Sequence, residues 1–275
     1  MKPAPFTMSQ PPTLAAAQGL LSTIDGDTRI IGGGQSLGPM LNLRLARPDH
    51  LVDLAALPGM TETRATATHV EIGAGVTHAR IEDGDVPDPI PGMLRHVAGG
   101  IAHRAVRNRG TIGGSLCHAD PAADWVTAMT ALGATVIVVP VNGPQREVTM
   151  RDFMRAAYRT ALQPGDILTK IRIPRYSADA HWGYYKICRK VGAFADAISA
   201  FVADPQSRLC RVVFGSTGAA PLLSDTLARH LAENGTTPPL PAIKEALRAS
   251  GLELSEVKLH QLSIAHQRSV REAFA

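Results

Sequence analysis

Apolar residues recur at helical spacing in Leu14, Ala17, Leu20 and Leu21, and Thr13 stands where it can cap the turn before them. A helix therefore opens the chain, and the Asp25-Gly26-Asp27 turn ends it. Arg29-Ile30-Ile31 reads as a short strand running into Gly32-Gly33-Gly34, with an apolar helical turn over residues 40–45 and a second strand over 50–54. Further on, the pattern predicts a strand over 69–73, a helix over 92–107 with a basic end, a helix over 122–132 and a buried β-branched strand over 134–139. Ile167, Thr169, Ile171 and Ile173 alternate with Leu168, Lys170 and Arg172, the period of a half-buried strand, and Pro174 then marks a boundary. Beyond it, residues 184–188, 197–202 and 209–214 read as three strands at hairpin spacing. Residues 222–232, 242–249 and the C-terminal stretch read as helices. The order of elements is that of an α+β protein, with no internal repeat.

A length of 275 residues favours two or three sub-domains over one compact core. Divisions fall near residues 55 and 176, giving segments 1–55, 56–176 and 177–275. The net charge is +4 and the pI near 9.1, but Lys and Arg alternate with Asp and Glu, and only 4% of residues are aromatic. That argues against nucleic-acid binding, which needs clustered basic charge or base-stacking rings. Cys117, Cys188 and Cys210 are far apart, which points to a reducing compartment; with no apolar signal core and no membrane-length apolar run, the cytoplasm is expected.

Two glycine-rich segments carry the candidate chemistry. Gly32-Gly33-Gly34-Gln35-Ser36-Leu37 lies between a strand and a helical turn, where backbone N–H groups can approach a diphosphate without Cβ obstruction. It misses the dinucleotide fingerprint, and no P-loop follows, so by itself it reads more readily as a tight turn than as a phosphate site. Thr111-Ile112-Gly113-Gly114-Ser115 adds a glycine pair and two hydroxyls, followed by a helix start capped by Asp120 or its neighbours. Asp124 could accept hydrogen bonds from a ribose or simply complement the dipole of that helix. His118, Asp120 and Asp124 lack metal-ligand spacing, and neither Ser36 nor Ser115 sits in a nucleophile elbow, so no protein nucleophile or metal is expected.

These segments, with Leu43-Arg44-Leu45-Ala46-Arg47-Pro48, Leu51-Val52-Asp53-Leu54, the block from Thr111 to Asp124, and Lys186 with Arg189-Lys190, resemble the FAD-binding medium subunits of the molybdenum hydroxylases almost end to end. The resemblance implies a two-part FAD-binding domain of the vanillyl-alcohol-oxidase (PCMH) type, followed by a small C-terminal α+β domain with a three-stranded antiparallel sheet. It places both glycine segments on the FAD diphosphate, Asp124 toward the ribose, Leu168 beside the cofactor, and Lys186 near the pyrimidine edge of the isoalloxazine. A cation at that edge would stabilise charge developing on the ring; otherwise Lys186 is a lysine at a strand edge. Phe194 resembles the ring packed near the flavin face, or is plain core, and Ala193 stands where relatives carry an acid.

The resemblance further implies that electrons pass from [2Fe-2S] clusters of a small partner subunit through FAD to an external acceptor. The organic substrate, an N-heterocycle or an aldehyde, is oxidised at a molybdopterin cofactor in a large subunit, and the whole forms a dimer of heterotrimers. Three scattered cysteines agree with clusters housed elsewhere, since such a cluster usually takes four thiolates. Two other classes compete: a stand-alone FAD oxidoreductase of the vanillyl-alcohol-oxidase type and a non-catalytic nucleotide-binding module.

Overall fold

The computed structural model describes residues 2–24 and 26–274. Thr7–Ser9 (β1) is followed by helix Leu14–Thr23 (α1), started by the Thr13 hydroxyl accepting from Ala16 N at 3.1 Å. The expected stop at Asp25 lies outside the described residues; Gly26 follows with φ +97. Thr28–Ile31 (β2) and His50–Asp53 (β3) complete a parallel sheet in the order β1-β3-β2, whose central strand buries Leu51 and Val52. Between them Leu37–Asn42 (α2) begins earlier than residues 40–45 suggested. Gly38 N bonds Gly34 O at 2.8 Å and winds the helix directly out of the glycine turn. The expected end fails because Arg44 takes φ +57 and Leu43 and Leu45 face solvent.

Thr63–Ala65 (β4) and His69–Gly73 (β5) open a second sheet, followed by His78–Asp83 (α3), Met93–Gly99 (α4), Arg104–Arg107 (α5), Ile112–His118 (α6) and Asp124–Ala131 (α7). Thr135–Val139 (β6), Arg146–Thr149 (β7), Met150–Phe153 (α8), the hairpin Met154–Ala156 (β8) with Arg159–Thr160 (β9), and Ile167–Pro174 (β10) close this part. The sheet is antiparallel, in the order β4-β5-β10-β6-β7. The single helix expected over 92–107 is two. After Gly99 and Gly100 the chain turns, Ile101 bridges to Gly192, and Ala102 adopts φ +44. The Arg107 guanidinium donates to Ile101 O (2.8 Å) and Ala102 O (3.0 Å) and keeps the break in place. Strict alternation in β10 also fails, because a bulge between Leu168 and Lys170 buries Ile167 and Leu168 together.

His181–Ile187 (β11), Ala197–Asp204 (β12), Leu209–Gly215 (β13) and Leu222–Leu223 (β14) form an antiparallel meander, four strands where three were expected. Residues 222–223 pair with Phe214 and Val213 instead of starting a helix. Asp225–Asn234 (α9) begins only after Ser224, whose hydroxyl accepts from Leu227 N. Leu240–Arg248 (α10) and Glu256–Ala273 (α11) follow. Along β12, Ala197 and Phe201 join the core under the C-terminal helices, whereas Ile198, Ala200 and Val202 join the large core of the preceding sheet and α7. Both faces of this strand are thus buried in different cores. No helix among the described residues is long and apolar enough to cross a membrane.

Candidate functional site

A cleft of about 910 Å³ runs between the first two sheets to the loop that follows β11. Its floor is made where the two glycine-rich segments meet. A Cβ on Gly33 would fall on the Arg109 carbonyl, with Gly110 Cα 2.8 Å away, and one on Gly32 would stand 3.1 Å from the Thr111 hydroxyl. At Gly33 glycine is needed for the close approach of two backbones. Gly34 supplies a second requirement, φ +71. Among the described residues, the backbone N–H groups of Gly33, Gly34, Gln35 and Ser36 have no protein acceptor, while the Gln35 amide folds back onto Gly33 O at 3.2 Å. Four consecutive free donors lining a concave surface form an anion cradle.

The second segment is built differently from the open turn expected. It is the first turn of α6, and its four leading N–H groups are all occupied. Ile112 N donates to Val76 O (3.0 Å), Gly113 N to Ala74 O (2.9 Å), Gly114 N to the Thr111 hydroxyl (3.1 Å) and Ser115 N to Thr111 O (3.0 Å). Gly113 is required by packing, since a Cβ there would lie 2.5 Å from the Ala74 methyl and 2.6 Å from its carbonyl. Ile112 is fully buried in the core and does not line the cleft. What this segment presents to the cleft is the Thr111 hydroxyl, with its own proton free to donate, and the Ser115 hydroxyl, which is unbonded among the described residues.

Gly32, Gly33, Gly34, Gln35, Ser36, Leu37, Thr111, Gly113, Gly114, Ser115, Asp124, Leu168 and Phe194 all border the cleft; Lys186 does not. Lys186 Nζ instead lies 2.8 Å from Asp124 Oδ1 and 2.8 Å from Gly100 O, with only a tenth of its side chain exposed. Tyr184 OH donates to the same Asp124 oxygen at 2.6 Å, and burial together with that carboxylate holds the phenol well above its ordinary pKa. The lysine therefore ties β11 to the start of α7 and the end of α4. Its strand-edge position was legible; its partners, 62 and 86 residues away, left no local signal.

At the outer end of the cleft, Gly192, Ala193 and the 68%-exposed Phe194 face Ile101 and Ala102. Gly192 has φ +81, and a Cβ on it would come within 2.5 Å of Ala102 O. Leu21, Ile30, Leu54, Met60 and Leu162 add apolar surface to the cleft, beside the polar Thr28, Arg29, Thr61, Gln163 and Asp166. Asp120 accepts from Ala122 N (2.8 Å) and from the Tyr158 hydroxyl, so it organises the turn before α7 without capping it. His78 also lines the cleft, a place its sequence neighbourhood does not signal. Nothing local distinguishes it, since its ring partner is Trp125 on α7.

A cleft of this size, with an anion cradle, mixed apolar and polar walls and an exposed aromatic ring, fits an extended dinucleotide such as FAD. Residues 4–176 match the family described as the FAD binding domain in molybdopterin dehydrogenase. The chain is 36% identical over 253 residues to the carbon monoxide dehydrogenase medium chain of Afipia carboxidovorans, covering 90% of this chain and 86% of that one. It is 30% identical over 245 residues to caffeine dehydrogenase subunit beta of a Pseudomonas species, covering 88% and 83%. Among solved structures, carbon monoxide dehydrogenase from Hydrogenophaga pseudoflava lacking the Mo-pyranopterin moiety superposes with a TM-score of 0.88 at 28% identity, covering 100% and 99% of the two chains. With a family match over residues 4–176 and relatives aligned along most of its length, the chain belongs to the FAD-binding medium subunits of the molybdenum hydroxylases, the flavin components of oxidoreductase complexes.

Proposed function

We propose that this subunit holds FAD extended along the cleft, between a two-part binding domain of residues 1–55 and 56–176 and a C-terminal domain of residues 177–275. The free N–H groups of Gly33, Gly34, Gln35 and Ser36 carry this reading, because they supply fixed dipoles of the right sign for a diphosphate. The Thr111 and Ser115 hydroxyls complete that site from the opposite segment. Asp124 keeps one carboxylate oxygen beyond those used by Tyr184 and Lys186, available to a ribityl or ribose hydroxyl. Leu168 gives an apolar contact, and Phe194 covers the exposed ring end.

FAD, when bound, supplies a redox centre that takes electrons from [2Fe-2S] clusters of a small partner subunit and hands them to an external acceptor. The chain's own task is to place that centre. It grips the diphosphate with neutral donors, offers apolar contact through Leu21, Ile30 and Leu54, and leaves the cleft open beside Phe194. Lys186 serves by holding Asp124 in position. The organic substrate is oxidised at a molybdopterin in a large subunit, within a dimer of heterotrimers. Similarity to a caffeine dehydrogenase subunit supports an N-heterocycle.

The test is purification of the chain from its native source with associated subunits retained. One FAD per chain, co-purifying iron and molybdenum, and dye reduction with an N-heterocycle are expected. A chain that purifies alone, loaded with FAD and oxidising an alcohol by itself, would reassign it to the stand-alone oxidoreductases.

A further inference from the structure

His78 sits in the floor of the cleft without a role in the reading above. Thr77 caps α3, and His78, the first residue of that helix, donates its backbone N–H to Gly110 O at 2.9 Å. An isolated bridge joins Thr77 to Thr111. The imidazole is thus fixed relative to the second glycine-rich segment before its own bonds are considered.

Those bonds define its protonation. Trp125 Nε1 donates to His78 Nδ1 at 3.0 Å, and the indole is fully buried. A ring nitrogen that accepts carries no proton, so the imidazole proton is on Nε2. Burial, helped by the Arg107 guanidinium, pushes the ring pKa down to about 4, so it is neutral. Among the described residues the Nε2–H has no protein acceptor, and this nitrogen is not among the sealed, unpartnered polar atoms of the interior such as Thr28 Oγ1 or His266 Nε2. It opens on the cleft. A Cβ on Gly110 would stand 2.9 Å from both Nε2 and Cδ2, so glycine at that position keeps this ring edge clear. Gly110 is also where Gly33 packs, which puts the donor at the junction of the two segments.

We propose that His78 is a cofactor-binding residue whose Nε2–H donates to a diphosphate oxygen of FAD lying between residues 33–36 and 111–115, with Trp125 as the positioning residue that fixes the tautomer. This rests on the reading of the cleft as the FAD site. A neutral donor gives the floor a directed hydrogen bond without placing a second buried charge beside Arg107, which is already committed to Glu82.

The experiment measures FAD affinity of the 275-residue chain, stripped of flavin and titrated with FAD while flavin fluorescence is followed. His78→Phe combined with Trp125→Phe removes the donor without leaving an indole N–H unpaired, and should weaken binding by about 10- to 100-fold. His78→Gln keeps both a donor and an acceptor and should stay within about threefold of the parent, whereas Trp125→Phe alone keeps the imidazole but releases its tautomer and should weaken binding by about 3- to 10-fold, with the His78 ring ¹⁵N shifts moving away from the Nε2-protonated form. A folded double variant with the parent affinity overturns the proposal. Should that variant not fold, ring ¹⁵N shifts of His78 in the parent decide: an Nε2-protonated ring whose Nε2 signal moves on adding FAD supports the bond, and an unmoved signal sinks it. A parent chain that takes up no FAD at all defeats the cleft assignment itself, a result distinct from any of these.

Discussion

Replacing Lys186 with Met keeps a long flexible side chain but removes the ammonium that lies between Asp124 Oδ1 and Gly100 O, each at 2.8 Å. Asp124 then remains at the cleft edge with 7% of its side chain exposed and only Tyr184 OH as a partner for that oxygen. Breaking one side of a buried ion pair costs about 3–5 kcal/mol. The retained phenol bond and the neighbouring cleft put the expected loss at the lower end, about 3 kcal/mol. Unfolding entropy near 2.1 cal/mol/K per residue amounts to roughly 0.6 kcal/mol/K for a chain of 275 residues, so the melting temperature should fall by about 5 °C. The assay is thermal unfolding of the flavin-free chain, where ligand linkage does not enter, for Lys186→Met, Asp124→Asn and the double variant. Coupling predicts that the double variant loses at least about 1 kcal/mol less than the sum of the singles. A Lys186→Met chain that melts with the parent, or strict additivity across the cycle, would refute the interpretation of Lys186 as a strut.

Gly33→Ala should abolish FAD retention in whatever protein folds, because the added methyl meets the Arg109–Gly110 backbone, which cannot yield as a side chain would; flavin content of the purified chain reads this out. Gly113→Val should fail differently, by collision with Ala74, lowering urea stability by at least about 2 kcal/mol with or without flavin. His78 and His266 are both held near a pKa of about 4, the first chiefly by burial and then Arg107, the second chiefly by burial and then His230. A folded pKa below the usual 6.5 means the unfolded chain binds the proton first. This contribution is therefore complete above pH 6.5 and lost as pH falls toward 4, by roughly 3 kcal/mol per histidine. Urea midpoints at pH 7 and pH 5 test it, and His266→Leu should remove about half of the difference.

Much of the framework was readable locally. The Thr13 hydroxyl before an apolar helical face, the alternation over His69–Gly73 and the β-branched run of β6 each carry their own signal, and the structure follows them. The readings that failed depended on distant residues. Nothing between 92 and 107 announces that Ile101 will pair with Gly192, and the apolar Leu43 and Leu45 remain exposed because the chain turns at Arg44. In the cleft, residue type identified the glycines and hydroxyls, but not which N–H groups would be free. The longer, more informative segment spends its donors on Ala74, Val76 and its own helix cap, while the shorter one keeps its donors free. His78 and Tyr184 were invisible for the same reason: each acquires its place through a partner on α7, 47 and 60 residues away.

The strand β12, with its alternate side chains in two cores, makes the C-terminal sheet a party wall. Ile198, Ala200 and Val202 close the interior against which α7 packs, and Gly215 lets β13 approach so near that any side chain there would strike Thr127. The family match stops at residue 176, but the hydrophobic interior does not stop there with it. A fragment cut at that boundary would expose the far side of α7, including the neighbourhood of Asp124 and its cleft. The smallest flavin-holding unit of this chain is accordingly larger than its recognisable flavin-binding segment, and changes selected on the outer helices must preserve a wall that both halves share.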